Sequence, residues 1–111
     1  LALASLGRQA DATAQYAEAV RLDPDHSDAQ LNLGIAFGQA GKLPEAIAHL
    51  EQAVRLRPDD ARVQYNVGYA LLAAGRGPEA RPYFENALRL QPVYTAARDL
   101  LRRLDEAAPP P

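Results

Sequence analysis

Residues 27–60 read SDAQLNLGIAFGQAGKLPEAIAHLEQAVRLRPDD, and residues 61–94 repeat the pattern as ARVQYNVGYALLAAGRGPEARPYFENALRLQPVY. Placed one above the other without a gap, the two stretches share 14 of 34 positions. Residues 1–26 align in the same register with residues 35–60 and share 10 positions with them. A period that recurs without a gap indicates a repeat protein, in which each unit packs on its neighbours.

Each unit is predicted to form two helices joined by a tight turn. In the second unit, apolar residues recur at helical spacing on both sides of Gly41. Glycine adopts the left-handed conformation that often ends a helix, and Pro44 follows where a second helix can begin without losing a hydrogen bond. Pro58 ends that helix, and Asp59 is expected to cap the next one. Gly7 occupies the position of Gly41 in the first unit, so a helix is expected to end there too.

The recurring residues resemble the tetratricopeptide repeat. They are Asn32, Gly34, Ala36, Gly41, Ala46, Leu50, Ala53 and Pro58, with the counterparts Asn66, Gly68, Ala70, Gly75, Ala80, Phe84, Ala87 and Pro92. The resemblance covers about residues 1–94 and implies an all-α fold, a right-handed superhelix (an α-α solenoid) of antiparallel helix pairs. The small residues are expected where two helices approach closely. Pro82 departs from the pattern because it lies inside a predicted helix, which it is expected to kink.

The repeat predicts a single domain with recognisable parts. These are a partial unit (1–26), two whole units (27–60 and 61–94), a capping helix (95–106) and a proline-rich tail or linker (107–111). The first unit lacks the start of its first helix, which is expected to leave Leu1, Leu3 and Leu6 as an exposed apolar stub. Polar residues of the final helix are expected to face water, as the end of a solenoid requires. The chain begins without methionine, which indicates a piece of a longer protein.

Composition argues against several classes of function. The 14 acidic and 12 basic residues give a charge of −2, without the basic face expected of a nucleic-acid binder. Cysteine is absent, and His26 and His49 have no metal ligands at suitable spacing. No nucleophile–base–acid set appears either, so we expect neither an enzyme nor a bound metal or cofactor. No apolar run is long enough to insert into a membrane. A soluble chain is expected, with the cytoplasm slightly favoured and the compartment otherwise open.

The resemblance places the candidate binding site on the concave face, which is lined by the first helix of each unit. The implied groove residues are Asp28, Leu31, Asn32, Ile35 and Gln39 in the second unit, Arg62, Tyr65, Asn66, Tyr69 and Leu72 in the third, and Asp99 and Arg103 in the final helix. Helical spacing alone puts Tyr65 and Tyr69 on one face. Their large, rigid and amphipathic rings suit a peptide surface. Asn32 and Asn66 resemble an asparagine ladder that holds a peptide backbone in some relatives, although asparagine is also common at this place for local reasons.

The resemblance implies a protein-interaction module that binds a peptide or helix of a partner protein in the groove. A variety that grips a C-terminal carboxylate needs a set of Lys and Asn residues across three repeats. Only Asn32, Arg62 and Asn66 fit that set here, so it is incomplete. Two alternatives are a structural scaffold that self-associates through its apolar stub and a substrate-recruiting arm of a larger enzyme, such as a glycosyltransferase.

Overall fold

The computed structural model describes the backbone of residues 2–107 and the side chains of residues 7–107. These residues form six α-helices and no strand, which confirms the predicted all-α solenoid. The helices are α1 (Ala2–Leu22), α2 (Ser27–Gln39), α3 (Leu43–Leu56), α4 (Ala61–Ala73), α5 (Gly77–Leu90) and α6 (Thr95–Ala107). Each packs mainly on the helix before it and the helix after it, and the whole measures 46 × 32 × 23 Å.

Glycine makes the turn inside each whole unit. Gly41 and Gly75 both have a φ of +78°, the left-handed region that costs glycine little. In the first of these turns the Lys42 N–H donates to the Phe37 carbonyl at 2.9 Å, a bond that satisfies one of the last carbonyls of α2. The next helix starts with proline in its first turn. The two units therefore form equivalent helical hairpins, α2–α3 and α4–α5.

Close approach of the paired helices depends on a second pair of glycines. A Cβ atom placed on Gly34 would lie 2.6 Å from Leu50 Cγ, and one on Gly68 would lie 2.7 Å from Phe84 Cε1. The four alanines that face these helices are fully buried: Ala46, Ala53, Ala80 and Ala87. The prediction that small residues mark the crossing points is confirmed, because a larger side chain would force the helices apart.

The first unit does not turn where the sequence predicted. α1 runs without a break from Ala2 to Leu22 and passes straight through Gly7, so the prediction of a helix end there is wrong. The other two turns are followed by Pro44 and Pro78, and a proline prevents the preceding helix from continuing, because it lacks the backbone N–H and its ring crowds the turn before it. The corresponding residue of the first unit is Ala10, which favours an uninterrupted helix. The predicted stub of leucine side chains lies outside the described side chains.

Helix starts also differ from prediction by one residue. Asp60, rather than Asp59, caps α4, and its carboxylate accepts from the backbone N–H groups of Arg62 and Val63. At the equivalent place in α2, His26 Nδ1 accepts from the Ala29 N–H at 3.1 Å. Both side chains satisfy backbone donors that the first turn of a helix leaves unpaired.

A side-chain hydrogen bond to a proline carbonyl recurs at each junction between units. The side-chain amide of Gln30 donates to the Pro24 carbonyl, and that of Gln64 donates to the Pro58 carbonyl, both at 2.9 Å. In α6 the guanidinium of Arg98 makes the same contact with Pro92 at 2.6 Å. Each donor follows its proline at the same distance along the chain, so the contact repeats with the period of the fold. It ties the start of each unit to the end of the preceding one.

The last helix, α6, closes the described end of the solenoid. Its Ala97 is fully buried, and three leucines (100, 101 and 104) pack partly buried against the core. Leu104 Cδ2 would lie 3.0 Å from a Cβ placed on Gly77, so the glycine that starts α5 lets α6 pack closely. Arg98, Arg102 and Asp105 face outward. Upstream of α6, Pro82 is accommodated inside α5, which stays helical from Gly77 to Leu90.

Candidate functional site

A pocket of about 420 Å³ lies between α2 and α4, with α3 beneath it. We call it the α2–α4 pocket. Its rim is formed by Ile35, Gly38, Gln39, Tyr65, Asn66 and Tyr69, and α3 contributes Leu43, Ala46 and Leu50. Of the rim residues, Gln39 and Tyr69 are exposed and the others are partly buried. A smaller depression of about 190 Å³ lies between α1 and α2. Ile35 and Gln39 line both, so the two depressions adjoin along one face of the molecule.

The structure brings six of the predicted groove residues to these depressions. Ile35, Gln39, Tyr65, Asn66 and Tyr69 line the α2–α4 pocket, and Asn32 lines the smaller depression. Tyr69 stands out because 55% of its surface is exposed. Large apolar rings are costly to leave in water, so an exposed tyrosine beside a pocket is a feature of the kind that binding surfaces show.

Leu31 is a correction to the predicted site. Its side chain is 0% exposed and belongs to the hydrophobic core, so it cannot touch a ligand. Helical spacing puts Leu31 on the same side of α2 as Ile35, but spacing alone does not show how deeply each residue is buried. α2 contacts α1, α3 and α4 at once, and the short leucine is enclosed among them. The equivalent Tyr65 has a longer side chain and remains partly exposed.

The remaining predicted residues do not line either depression. Arg62 reaches back from α4 to α2, where its guanidinium lies 3.2 Å from the Asp28 carboxylate and 4.0 Å from that of Asp60. Leu72 packs partly buried against the core. In α6, Asp99 lies 3.7 Å from the Arg102 guanidinium, and the neighbouring Arg103 is exposed.

Sequence reasoning missed one aromatic residue of this face. Tyr94, in the loop before α6, stacks on Tyr65 with ring centres 5.0 Å apart and planes at 24°. Tyr65 also lies 6.1 Å from Tyr69, so three tyrosine rings form a row. A signal was present in the sequence: Tyr94 stands one repeat period after the capping Asp60, and tyrosine is a poor cap.

Burial raises the pKa of two of these tyrosines, Tyr65 and Tyr94. It raises the pKa of the Tyr65 hydroxyl above the ordinary value of 10.0, and negative charge on the adjacent Tyr69 would raise it further. Burial, followed by the effect of Tyr65, likewise raises the pKa of Tyr94. Near neutral pH both hydroxyls therefore remain protonated and can donate as well as accept hydrogen bonds.

Asn66 is partly engaged with its own helix. Its Nδ2 donates to the Arg62 carbonyl at 2.8 Å, one turn earlier. This contact corresponds to the local explanation for asparagine at this place in the repeat. Asn66 also lines the α2–α4 pocket, and an amide carries an acceptor oxygen beside its donor nitrogen, so one group can serve both the helix and a ligand.

Together these features define a helical-repeat solenoid with an aromatic-lined concave pocket and equivalent hairpins one repeat period apart. A profile described as "Tetratricopeptide repeat" matches residues 31–95, and a second, "TPR repeat", matches residues 1–41. The chain therefore belongs to the tetratricopeptide repeat family, as the sequence resemblance implied. No curated protein matches the chain. None of the helices described between residues 2 and 107 is long and apolar enough to cross a membrane.

Solved structures with the same fold include proteins of different size. An O-GlcNAc transferase from Thermobaculum terrenum is 30% identical, with a TM-score of 0.78 over 83% of this chain, and the chain spans only 18% of that enzyme. The first TPR of Spaghetti (RPAP3), bound to the HSP90 peptide SRMEEVD, is 24% identical with a TM-score of 0.87, over 93% of this chain and 82% of that one. The second TPR domain of human RPAP3, in complex with the HSP70 peptide SGPTIEEVD, is 24% identical with a TM-score of 0.83, over 91% and 84%.

Proposed function

We propose that the chain is a protein-interaction module that holds an extended peptide or a helix of a partner protein against the α2–α4 pocket. The observation that carries this proposal is the exposed Tyr69 at the rim of the pocket. Tyrosine loses little conformational entropy when it is buried by a partner, and it offers both apolar area and a hydroxyl. Two neighbours of the same fold were solved with peptides bound, which supports the same class of ligand here.

Amide groups beside the tyrosines suit a peptide backbone. Gln39 and Asn66 line the pocket, and an amide side chain can donate to a carbonyl and accept from an N–H. Such contacts bind a main chain without selecting its sequence. The tyrosine rings would then add the apolar contact that supplies most of the affinity in an interface.

A displayed library of random peptides, selected on the immobilised chain, tests the proposal. Modules of this kind bind at about micromolar Kd, or about −8 kcal/mol. Because Tyr69 contributes a large exposed ring, Tyr69→Ala is expected to weaken the selected peptides by about 1–3 kcal/mol. Asn66→Ala should weaken them less, since its Nδ2 already bonds within α4.

Leu22→Ala is the matched control for this titration. Leu22 is also a large exposed apolar residue, at 70% exposure, but it lines neither depression. Its truncation should leave the peptide affinity unchanged. Peptides that bind Tyr69→Ala and Asn66→Ala as tightly as the parent chain would show that the pocket is not the binding site.

A second candidate function, self-association, is favoured by the surface of α1. In α3 the buried face carries Ala46, Leu50 and Ala53; the equivalent residues of α1 are Ala12, Tyr16 and Ala19. Ala19 is exposed and the other two are half-buried. The face that is buried in α3 is therefore partly open to solvent in α1. Sedimentation velocity across a wide concentration range tests this candidate. A sedimentation coefficient independent of concentration rules self-association out.

The likeness to the O-GlcNAc transferase supports a related candidate, in which this chain recruits substrates for a larger enzyme. The support is the 30% identity over 83% of the chain. The coding sequence on either side of these residues tests it: an adjoining glycosyltransferase domain is expected, and flanks that encode no enzyme domain would exclude it.

A further inference from the structure

Gly38 keeps the α2–α4 pocket open without being needed for helix packing. A Cβ placed on Gly38 would lie 3.8 Å from Ala46 Cβ, an ordinary contact, whereas one on Gly34 would clash with Leu50 at 2.6 Å. Glycine inside a helix is destabilising relative to alanine. Packing explains that cost at Gly34, but not at Gly38. What Gly38 does provide is a stretch of pocket wall with no side chain.

The next unit shows the same position filled. Leu72 stands one repeat period after Gly38, at the equivalent place in α4. Its side chain packs partly buried against the core, with Cδ1 3.7 Å from the place a Gly77 Cβ would occupy. The scaffold therefore accepts a leucine here. In the second unit, where glycine replaces that leucine, the corresponding space forms part of the pocket.

The pocket also lacks a charge to pair with a charged ligand group. Among the described residues, its lining contains aromatic, aliphatic, glycine and amide side chains and no ionisable Asp, Glu, Lys, Arg or His. The nearby Arg62 is held by two carboxylates, those of Asp28 and Asp60. A carboxylate or ammonium that entered the pocket would lose water with no counter-charge in return.

We propose that this pocket takes a neutral, apolar side chain of the size of leucine or phenylalanine, inserted beside Gly38 as the anchor of a bound partner segment. This assignment rests on the proposed function and specifies its ligand. Ile35 and Leu43 supply apolar walls, while Tyr65 and Tyr69 supply ring surface. A volume of about 420 Å³ exceeds what a single methyl group needs and falls in the lower part of the roughly 300–1,000 Å³ range of ligand pockets.

Four small amides serve as probes of the pocket itself. N-acetyl-leucine amide and N-acetyl-phenylalanine amide carry the proposed anchors, and the N-acetyl amides of glutamate and lysine carry the two charges. We expect the first two to shift the backbone amide NMR signals of pocket residues, such as Ala73, in a saturable manner. The charged pair should bind at least about tenfold more weakly, a difference of about 1.4 kcal/mol.

Gly38→Leu tests the location, because it copies the residue of the next unit. It should weaken the two apolar amides at least about tenfold, with Gly38→Ala intermediate. Ala48→Leu is the matched control: it adds the same side chain at an exposed position of α3 outside the pocket and should leave their binding unchanged. Circular dichroism melts establish that the variants are folded. If Gly38→Leu does not fold, the preference of the parent chain among the four amides still tests the assignment.

Several outcomes overturn the assignment: tighter binding of a charged amide, no saturable shift with any amide, or unchanged apolar binding in a folded Gly38→Leu variant. The selection of displayed peptides distinguishes failure of this assignment from failure of the proposed function. If the selected peptides depend on Tyr69 but are anchored by an acidic or basic residue, the proposed interaction module is supported and the apolar anchor is contradicted. If the affinity of the selected peptides does not depend on Tyr69, the proposed function is contradicted, whatever the result with the four amides.

Discussion

The two whole hairpins, α2–α3 and α4–α5, share a scaffold but differ in the surface they present. Their turns have the same φ of +78° at Gly41 and Gly75, and each crossing is made by a glycine under a large apolar side chain. On the concave face, however, Ile35 becomes Tyr69 and Gly38 becomes Leu72. The two units thus share the residues that set helix geometry and differ at positions along the α2–α4 face.

The largest expected effect falls on the core of the second hairpin. Phe84 is fully buried, and its ring lies against Gly68 and 5.8 Å from the Tyr65 ring. Phe84→Ala should lower the free energy of unfolding by about 3–5 kcal/mol, because it removes apolar burial and leaves a cavity. Urea denaturation followed by circular dichroism measures it.

Tyr69→Ala in the same hairpin is the control. Tyr69 is more than half exposed, so its truncation should change the free energy of unfolding by no more than about 0.5 kcal/mol. Equal losses for the two variants would mean that the concave ring is part of the scaffold, and the distinction between scaffold and surface would fail.

The scaffold was predictable because its residues have strong local or periodic signatures. A glycine before a proline marks a turn, and an exact period places the equivalent turn without further information. The first unit shows where this fails: Gly7 has the period but not the following proline, since Ala10 stands where Pro44 does, and the helix continues. Periodicity places a residue, while the local backbone chemistry decides what it does.

The candidate site was less predictable, because depth and loop packing depend on three dimensions. Ile35, Tyr65 and Tyr69, which helical register puts on one side of the molecule, all line the α2–α4 pocket. Register could not show that Leu31 is enclosed by three helices. Nor could a helical pattern find Tyr94, which reaches Tyr65 from a loop.

The next effect concerns a proline that distinguishes the two hairpins. Pro82 lies inside α5, where α3 has Ala48. Because proline removes a backbone hydrogen bond and crowds the preceding turn, Pro82→Ala should raise the free energy of unfolding by up to about 3 kcal/mol. The reverse exchange, Ala48→Pro, should lower it by a similar amount. A less stable Pro82→Ala variant in urea melts would mean that α5 needs the proline for its packing.

A smaller difference is expected among the glycines. Gly68→Ala places a methyl group 2.7 Å from the Phe84 ring and should cost about 1–3 kcal/mol through overpacking. Gly34→Ala should cost a similar amount, because its methyl group would lie 2.6 Å from Leu50 Cγ and 3.2 Å from the Ala46 carbonyl oxygen. Gly38→Ala has room, and should instead stabilise the chain by up to about 1 kcal/mol. Thermal and urea melts of the three variants give the order, and a loss of stability for Gly38→Ala would show that packing requires that glycine.

The smallest expected effect is a pH dependence of stability that arises in the first hairpin, α2–α3, and not in the second. His49 Nδ1 lies 2.9 Å from Gln30 Oε1, and the ring stacks on Phe37 with centres 5.5 Å apart. In the second hairpin the equivalent Gln64 oxygen accepts from Asn86, which does not titrate, and Tyr83 replaces the histidine. Only the first hairpin therefore carries an ionisable partner at this junction, among the residues that the structure describes.

Burial lowers the pKa of His49 below its ordinary value of 6.5. Between the folded and unfolded pKa values the unfolded chain binds more protons, so stability falls as pH decreases through that interval. The contribution of His49 is fully present above about pH 6.5 and is lost as the pH falls through the lower, folded value. His49→Tyr, which copies the second hairpin, should remove this part of the pH dependence of the free energy of unfolding. Urea melts of both chains at a series of pH values between about 5 and 8 measure the difference. Parallel plots of the free energy of unfolding against pH would show that folding does not change the pKa of His49.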